Sequence, residues 1–448
     1  MQIIRRNITY LIFLCFVIML IGLLFNDNVW FDETYTLALI RHSYGEMIDI
    51  LKSDMHPPLY FVGLKFFCSI FGYHIIVTKI FSAIGFSMLL MLGCCHIRND
   101  YGNTVSVFYL LVAGAVPFSF YFGAQQRCYS WAMFFVAWCF LEGIRLIREG
   151  KWRTVIPFSL SALGAAYNHI YALVAVAGIV LCVNGVICIK RRTCLYKIIV
   201  ADTIMVLGYS GWLRVVFLQT QKAARNFWQT SLEVDSLIVF FITLFLFVGL
   251  LVKNRKNDVV NLGIFCIMFV HVTGFAVSLL VRPLYVARYA APLLGVFAFV
   301  IAIFVGQGKE KVRQRICHYL FLLFILEYIA VAAFEYNPSL RNFRQEFDKI
   351  VSSEDIFLYN DSSFGIMSYY YPENRHICIY WQDWFSAFEN VEYRLARDIP
   401  SEVLEGQNIW FVINEKSVIP EQIKGQWTCE KVLTFRSDFN KFGVWHLK

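Results

Sequence analysis

Long runs of apolar residues, separated by short polar segments, occupy most of residues 1–335. A bilayer core about 30 Å thick needs roughly 20 helical residues to cross it, so each long run is a candidate membrane-spanning helix. The pattern predicts about eleven spans, at 8–25, 75–97, 103–122, 129–147, 154–168, 171–189, 197–217, 236–252, 259–281, 289–305 and 316–335. The run 59–71 is shorter, follows Pro57-Pro58 and contains Lys65, which favours an interfacial helix over a span.

The basic residues predict the orientation. If 59–71 does not cross the membrane, the basic clusters fall on one side, at 5–6, 98, 145–153, 190–192, 253–256 and 309–315. Short loops rich in lysine and arginine stay in the cytoplasm, so we expect the N-terminus there and residues 336–448 outside. The polar segments of the outer face are then 26–74, 125–127, 167–169, 218–235 and 282–288.

The pattern changes in the C-terminal part of the chain. Short β-prone runs separated by turn residues occur at 355–359, 376–381, 408–414 and 431–435, and 341–351 has helical periodicity. A segment of this length is large enough to fold alone. We therefore predict a helical membrane domain at 1–335 and a small extracytoplasmic α/β domain at 336–448.

The composition agrees with a membrane protein and excludes a soluble one. Of the 448 residues 58% are hydrophobic and only 16% are charged, whereas soluble domains carry about 25% charged residues. The net charge of +8 comes from loop residues that orient helices, so we expect no nucleic-acid partner. Compact loops and a first span without a small-residue cleavage site favour a bacterial plasma (inner) membrane.

The cysteines give little support to a metal or disulfide framework. Most of the 13 lie in apolar runs, and no Cys-x-x-Cys pair occurs, so a structural zinc site has no support. The C-terminal domain has only Cys378 and Cys429. Spacing along the chain does not place their Cα atoms, so a disulfide and two free thiols are both open alternatives.

The first outer segment carries the most chemistry. It contains Trp-Phe-Asp-Glu at 30–33 and then Asp-Met-His-Pro-Pro-Leu-Tyr at 54–60. Between these motifs we expect two short interfacial helices, with Ser43 and Glu46 forming a capping box at the start of the second.

The adjacent carboxylates Asp32 and Glu33 follow two aromatic residues. Partial desolvation in such a place favours a usable general base. The alternative is that both, like Asp54, are solvated carboxylates at helix starts, where negative charge suits the helix dipole.

These motifs resemble the first outer loop of the GT-C glycosyltransferases. Within that superfamily the chain is most similar to glycosyltransferase family 39, which includes protein O-mannosyltransferases and the aminoarabinose transferases of lipid A. Further elements follow in the family's order: Gln-Arg-Cys-Tyr-Ser at 126–130, Tyr-Asn-His-Ile-Tyr at 167–171 and Arg-Tyr-Ala-Ala-Pro at 288–292. The resemblance covers residues 1–305. Tyr60 stands where protein mannosyltransferases commonly have Gly-Lys, so a glycan, a glycolipid and a protein all stay open as acceptors.

The resemblance implies a GT-C membrane fold and an inverting glycosyltransferase. Such an enzyme moves a sugar from a polyprenyl-phosphate carrier, within the membrane lipid, to an acceptor at the outer face. A phosphate leaving group needs cations to absorb its charge, and the acceptor needs a carboxylate to take its proton. By resemblance Asp32 is the general base or the carboxylate that orients the acceptor, and its catalytic neighbour Glu33 tunes the pKa of Asp32 or binds the acceptor. The substrate-binding candidates are Asp54, His56, Tyr60, Arg127, Tyr129, His169, Arg282 and Arg288.

Several roles stay open at this point. Asp54 and His56 shape the site or support a divalent cation, although no metal ligand is assigned. Arg127 is alternatively a snorkelling arginine, and His169 is alternatively a structural histidine. Arg282 is alternatively a topological residue.

The alternative function is a transporter or flippase for a lipid-linked sugar. Such proteins place ionisable residues near the bilayer midplane and often contain internal repeats. Here the carboxylates and arginines lie at the outer ends of the spans and no repeat is visible, so an enzyme is favoured. Two further groups are expected to be structural. Glu142 should pair with Arg145 near a cytoplasmic helix end, and His271, near the middle of the ninth span, should hydrogen-bond a neighbouring helix.

Overall fold

The computed structural model of the protein describes residues 2–226, 231–253, 257–379, 387–394, 408–437 and 439–448. They form two compact units. One comprises Met1–Phe25 and Leu51–Val331, and the other comprises Asn26–Ile50 and Ala332–Lys448. Residues 26–50 therefore pack with the C-terminal residues, although they lie in the first predicted domain. The domain limits 1–335 and 336–448 stay a prediction.

Helices make up most of the first unit and alternate with strands near the C-terminus. In chain order the helices are α1 (Gln2–Leu23), α2 (Phe31–Leu39), α3 (Tyr44–Ser53), α4 (Leu59–Phe71), α5 (Ile75–Leu92), α6 (Arg98–Ala115), α7 (Ser119–Ala124), α8 (Tyr129–Glu149), α9 (Trp152–Ala166), α10 (Ile170–Lys190), α11 (Leu195–Asn226), α12 (Val234–Lys253), α13 (Asp258–Leu280), α14 (Leu294–Gly306), α15 (Glu310–Glu335), α16 (Ser339–Phe347), α17 (Ser363–Tyr370) and α18 (Glu421–Gln426). A π-helical turn, Gly93–Ile97, joins α5 to α6, and 3-10 turns occur at Arg192–Cys194 and Ala287–Leu293.

The polytopic helical architecture is confirmed. Within the described residues, 8 helical segments are long and apolar enough to cross a membrane: Ile75–Ala115, Tyr129–Glu149, Ile170–Lys190, Arg192–Arg225, Val234–Val252, Asp258–Leu280, Ala287–Gly306 and Glu310–Phe347. The other predicted spans are accounted for in two ways. Spans 8–25 and 154–168 correspond to shorter apolar helices, Asn7–Leu23 and α9, while 75–97 and 103–122 share the segment Ile75–Ala115.

The segment Ile75–Ala115 is a hairpin of two helices. On one straight helix Leu89 and Tyr109 would lie about 30 Å apart, yet the Tyr109 hydroxyl donates to the Leu89 carbonyl at 3.0 Å. The chain reverses near Gly102, whose φ of 86° is readily reached only without a Cβ atom. The two predicted spans are therefore antiparallel neighbours.

Two predicted details of the first outer segment are confirmed. The helix α4 has the predicted limits, and its 13 residues reach only about 20 Å, too short to cross a bilayer. At the start of α3 the Ser43 N–H donates to Glu46 Oε2 at 2.9 Å, and the Glu46 N–H donates to Ser43 Oγ at 3.3 Å. This pair is the expected capping box.

Of the two predicted structural contacts, that of Glu142 with Arg145 is confirmed, and that of His271 differs from the prediction. Arg145 donates to Glu142 at 3.1 Å, as predicted, and also to Asp100 at 2.7 Å, which ties α8 to α6. His271 Nδ1 is 2.6 Å from the Tyr285 hydroxyl. Because Tyr285 lies in the segment after α13, the predicted helix–helix bond of His271 is instead a helix–loop bond.

The predicted small α/β domain is confirmed by a sheet in the second unit. Its described strands are β1 (Ile356–Tyr359), β2 (Arg375–Cys378), β3 (Val391–Tyr393), β4 (Ile409–Asn414), β5 (Cys429–Ser437) and β6 (Asn440–Leu447). Their order is β3-β2-β1-β4-β6-β5, with the first four parallel and β6 antiparallel to both neighbours. The parallel strands β1 and β4 are almost entirely buried, which explains their near-continuous apolar sequences.

The predicted strands correspond to β1, β2, β4 and β5. The last residues of the run 376–381 lie outside the described residues. Strands β3 and β6 were not predicted. Strand β3 has only three residues and is defined by its pairing with β2, a nonlocal contact that local pattern does not reveal. An extracytoplasmic location of the sheet stays a prediction.

Cys378 and Cys429 are both free thiols. They lie on β2 and β5, with β1, β4 and β6 between these strands. Neighbouring strands are about 4.8 Å apart, so the two strands are separated by about 19 Å. A disulfide needs Cα atoms within about 7 Å, and this alternative is therefore wrong.

We expect both thiols to be alkylated when the full-length protein is denatured in iodoacetamide without reductant. Peptide mass spectrometry would detect the carbamidomethyl group on Cys378 and Cys429, and a reduced sample provides the control. Recovery of a linked peptide pair from the unreduced sample alone would contradict this arrangement.

Candidate active site

Four polar segments meet at one end of the helical unit. The Leu59 N–H donates to the Tyr167 carbonyl at 2.9 Å, and Asn168 Nδ2 donates to the Cys128 carbonyl at 2.7 Å. The Tyr171 hydroxyl donates to the Leu284 carbonyl at 2.7 Å. The segments 54–60, 125–130, 167–171 and 284–289 are therefore neighbours, although they are far apart in sequence.

A chain of hydrogen bonds links the first two of these segments. Asp54 Oδ2 is 2.7 Å from His56 Nδ1, and His56 Nε2 is 2.6 Å from Arg127 Nη2. Arginine only donates, so His56 Nε2 accepts and Nδ1 carries the proton that goes to Asp54. The histidine in this arrangement is neutral. Asp54 fixes the ring of His56, in the way that a carboxylate fixes a metal-ligating histidine, and His56 in turn orients Arg127.

Arg127 is held by the backbone as well as by His56. It lies between α7 and α8 and is only 4% exposed. The backbone N–H of Arg127 donates to the Gln125 carbonyl at 2.8 Å. Thr78 Oγ1 donates to the side chain of the neighbouring residue Gln126 at 2.7 Å. A buried, oriented guanidinium is the group expected for binding a phosphate.

His169 is a neutral hydrogen-bonding group and is not one of the cations. Burial lowers the pKa of His169 to about 3, and the positive charges of Arg127 and Arg288 act in the same direction. Its Nδ1 accepts the Tyr171 N–H at 3.1 Å, which caps α10. In the neutral ring the proton therefore lies on Nε2, which can donate to a ligand.

Aromatic rings surround His169. Its ring centroid is 5.5 Å from that of Tyr129 and 5.6 Å from that of Tyr289, which in turn is 5.2 Å from Tyr171. The Arg288 guanidinium lies over the Tyr289 ring, 5.7 Å from its centroid. Tyr129 and Tyr289, with Arg288, therefore lie near His169, and the assignment of Tyr129, His169 and Arg288 to substrate binding stays a prediction.

The segment that carries Arg288 is fixed at several points. Ser278 Oγ accepts the N–H groups of Leu284 and Tyr285, at 3.1 and 2.8 Å. Ser236 Oγ accepts the Ala287 N–H at 3.0 Å. These bonds hold the loop against the ends of α12 and α13 and restrain the backbone next to Arg288.

Two other predicted substrate-binding residues have structural contacts. The Tyr60 hydroxyl is buried and hydrogen-bonded to Ser82 Oγ at 2.8 Å, which fastens α4 to α5. The Arg282 guanidinium donates to the Arg225 carbonyl near the end of α11. Their assignment to substrate binding stays a prediction.

Asp32 and Glu33 lie in the other unit, in the first turn of α2. Glu33 is buried and its Oε2 accepts the Trp30 N–H at 3.3 Å. This contact closes the start of the helix in the manner of a capping box. Asp32 is half-buried, and its backbone carbonyl accepts the Thr36 hydroxyl. The carboxylate of Glu33 therefore caps α2, and the catalytic roles of Asp32 and Glu33 both stay predictions.

No protein-family model and no curated protein matches this sequence. Solved structures do match it. The apo structure of ArnT from Cupriavidus metallidurans has a TM-score of 0.69 at 10% identity, covering 97% of this chain and 97% of that chain. The same protein bound to undecaprenyl phosphate has a TM-score of 0.65 at 11% identity, covering 99% of this chain and 97% of that chain.

This chain has the ArnT fold. ArnT is an aminoarabinose transferase with the GT-C fold, so the fold expected from the sequence motifs is confirmed across nearly the whole chain. The match includes the C-terminal part, to which the resemblance of the motifs over residues 1–305 did not extend. At this identity the match shows the fold alone.

Two buried polar residues in or near the four polar segments were not predicted from the sequence. Lys79, on α5 between Thr78 and Ser82, is only 1% exposed. A lysine inside an apolar run is functional by default, and that rule could have identified it within the predicted span 75–97. The side chain of Gln125 is also buried, and neither of its amide atoms has a hydrogen-bond partner among the described residues.

A divalent cation stays a prediction. Among the described residues no group of three or more His, Cys, Asp and Glu side chains has an arrangement suited to a metal ion. Asp54 and His56 bond to each other. His56 Nε2 accepts a hydrogen bond from Arg127, so Asp54 and His56 in this arrangement hold the arginine side chain.

Proposed function

We propose that this protein is a glycosyltransferase that takes a sugar from a polyprenyl-phosphate carrier and transfers it, with inversion, to an acceptor. The reaction takes place at the outer face of the inner membrane, with the N-terminus in the cytoplasm and the C-terminal sheet outside. The acceptor is a glycan, a glycolipid or a protein.

The observation that carries the proposal is the partly buried chain of hydrogen bonds from Asp54 through His56 to Arg127. His56, which is hydrogen-bonded to Asp54, accepts one guanidinium N–H of Arg127 and thereby orients the guanidinium. Arg288 adds a second positive charge, felt at His169 together with that of Arg127. Two oriented arginines beside a neutral histidine donor match the needs of a phosphate group that gains charge during the reaction.

The proposed reaction is a single displacement. The acceptor oxygen forms a bond to the anomeric carbon on the face opposite the phosphate. The bond from that carbon to the phosphate oxygen breaks, and both of its electrons stay on the oxygen of the polyprenyl phosphate. Arg127 and Arg288 stabilise this charge, and the proton of the acceptor passes to the carboxylate of Asp32.

The donor test uses purified full-length protein and a panel of polyprenyl-phosphate sugars, with membranes as the source of acceptor. We expect one donor to disappear and polyprenyl phosphate to form in equal amount, both followed by mass spectrometry. Nucleotide sugars provide the matched control and should persist. The anomeric configuration of the product, compared by NMR with that of the donor, checks inversion.

The alternative function makes a different prediction in reconstituted vesicles. A transporter or flippase would move a lipid-linked sugar between leaflets while leaving it chemically unchanged. Persistence of every donor, together with leaflet exchange that depends on the protein, would therefore overturn the enzyme proposal.

A further inference from the structure

The chain just before α2 is tied to C-terminal residues of its own unit. The Asp27 carbonyl accepts the Tyr370 hydroxyl at 2.6 Å, and the Val29 carbonyl accepts the Ser437 hydroxyl at 2.9 Å. Asn28 Nδ2 donates to the carbonyls of Glu335 and Asn337, at 2.8 and 3.0 Å. Three consecutive residues ahead of the Asp32 helix are therefore anchored.

The chain just after α2 is anchored by His42, which is 7% exposed. Its Nε2 is 2.9 Å from the Ala387 carbonyl, and its Nδ1 is 3.1 Å from Glu389 Oε1. Both partners are acceptors, and both belong to the segment that precedes β3. The Asp32 helix is thus held on both sides by residues more than 300 positions away in sequence.

The face of α2 packs closely against α17. A Cβ atom at Gly365 would lie 2.8 Å from a ring carbon of Phe31 and 2.8 Å from Thr34 Oγ1. Contacts this short are not tolerated by real side chains, so the approach of the two helices requires glycine at this position. Thr34 Oγ1 itself donates to the Phe31 carbonyl at 2.8 Å, inside the first turn of α2.

Aromatic packing completes the contact. The Phe31 ring centroid is 5.5 Å from that of Phe364, in an edge arrangement, and 6.0 Å from that of Phe388, in a stacked arrangement. Phe364 and Phe388 are buried. Phe31 immediately precedes Asp32, so this packing restrains the residue next to the carboxylate.

We propose that the C-terminal residues of the second unit position Asp32. Gly365, Tyr370 and Ser437 are the positioning residues, and they act through the backbone of α2 and of the residues just before it. The inference rests on the proposed function, because it assumes that Asp32 is the base. It assigns the C-terminal residues a part in the chemical step.

The physical reason is the precision that proton transfer requires. A catalytic group must be held within about 0.5 Å of its productive position, and a misplacement of about 1 Å costs roughly a hundredfold in rate. The donor phosphate is assigned to cations of the other unit. A shift of α2 should therefore lower kcat while the KM for the donor stays unchanged.

The test compares Gly365→Ala with Gly425→Ala in the full-length protein. A Cβ atom at Gly425 meets nothing within 4 Å, so that variant is the matched control. We expect Gly365→Ala to lower kcat about ten- to a hundredfold at unchanged donor KM, and Gly425→Ala to behave as wild type. Ser437→Ala, which removes one hydroxyl, should lower kcat in the same direction with little change in thermal stability.

The outcomes separate this inference from the proposed function. An inactive wild-type protein would remove the proposed function. Active wild type with unchanged kcat in both Gly365→Ala and Ser437→Ala would overturn the positioning role alone. A rise in the KM for the acceptor at unchanged kcat would also overturn it, since that result indicates acceptor binding. If Gly365→Ala fails to fold, Ser437→Ala and Tyr370→Phe decide the question.

Discussion

Replacing Arg127 with glutamine is expected to lower kcat/KM for the lipid-linked donor by about 10²–10³, the usual effect of removing one preorganised group that stabilises developing charge. The guanidinium is buried and oriented by His56. It should hold the phosphate in the ground state and more tightly as the sugar–phosphate bond breaks. We therefore expect both a higher donor KM and a lower kcat, measured as initial rates over a range of donor concentrations.

Arg127→Lys separates charge from geometry. Lysine keeps the positive charge but lacks the planar fork that matches a phosphate and a histidine together, so its activity should lie between those of glutamine and wild type. Arg153→Gln is the matched control, because Arg153 is exposed and pairs with Glu149 at 2.7 Å. Arg127→Gln with kcat/KM within threefold of wild type would favour the snorkelling role of this arginine.

Replacing Asp32 with asparagine is expected to lower kcat by about 10²–10⁴, the range for loss of a general base. Asparagine preserves the size of the side chain and cannot accept the acceptor's proton. Glu33 and Trp30, which close the start of α2, are unchanged, so the helix should persist. The KM for the donor should also stay near the wild-type value, because the phosphate is assigned to Arg127 and Arg288. Rates of donor consumption at saturating donor measure the effect.

Asp49→Asn is the matched control for this substitution. Asp49 is exposed on α3, in the same unit, and its neutralisation removes the same charge. A wild-type rate for Asp32→Asn would show that the carboxylate only complements the helix dipole. Equal losses for both variants would indicate a nonspecific effect of charge.

The two substitutions test different halves of one reaction. Arg127→Gln should affect both donor binding and chemistry, whereas Asp32→Asn should affect chemistry alone. Loss of activity in both, with these distinct kinetic signatures, is expected only if the phosphate and the acceptor proton are handled by different groups.

The sequence by itself determined the membrane architecture, since a hydrophobic run of sufficient length has few alternatives to a helix in a bilayer. The limits of α4 followed from its length, the prolines before it and Lys65. The capping box of Ser43 and Glu46 was equally local, because it requires only residues three positions apart. The order of the motifs identified the fold, and it predicts a site that contains Arg127, His169 and Arg288.

Only the tertiary structure decided how these residues act. Hydropathy does not show that His56 accepts from Arg127, or that burial makes His169 neutral, because both depend on side chains from separate segments. Nor does it show that β2 and β5 lie too far apart for a disulfide. Residues 26–50 provide the clearest case. Their pattern predicts an outer loop, yet their packing depends on Gly365 and Ser437. Such contacts form only when parts of the chain that are distant in sequence pack together in the folded protein.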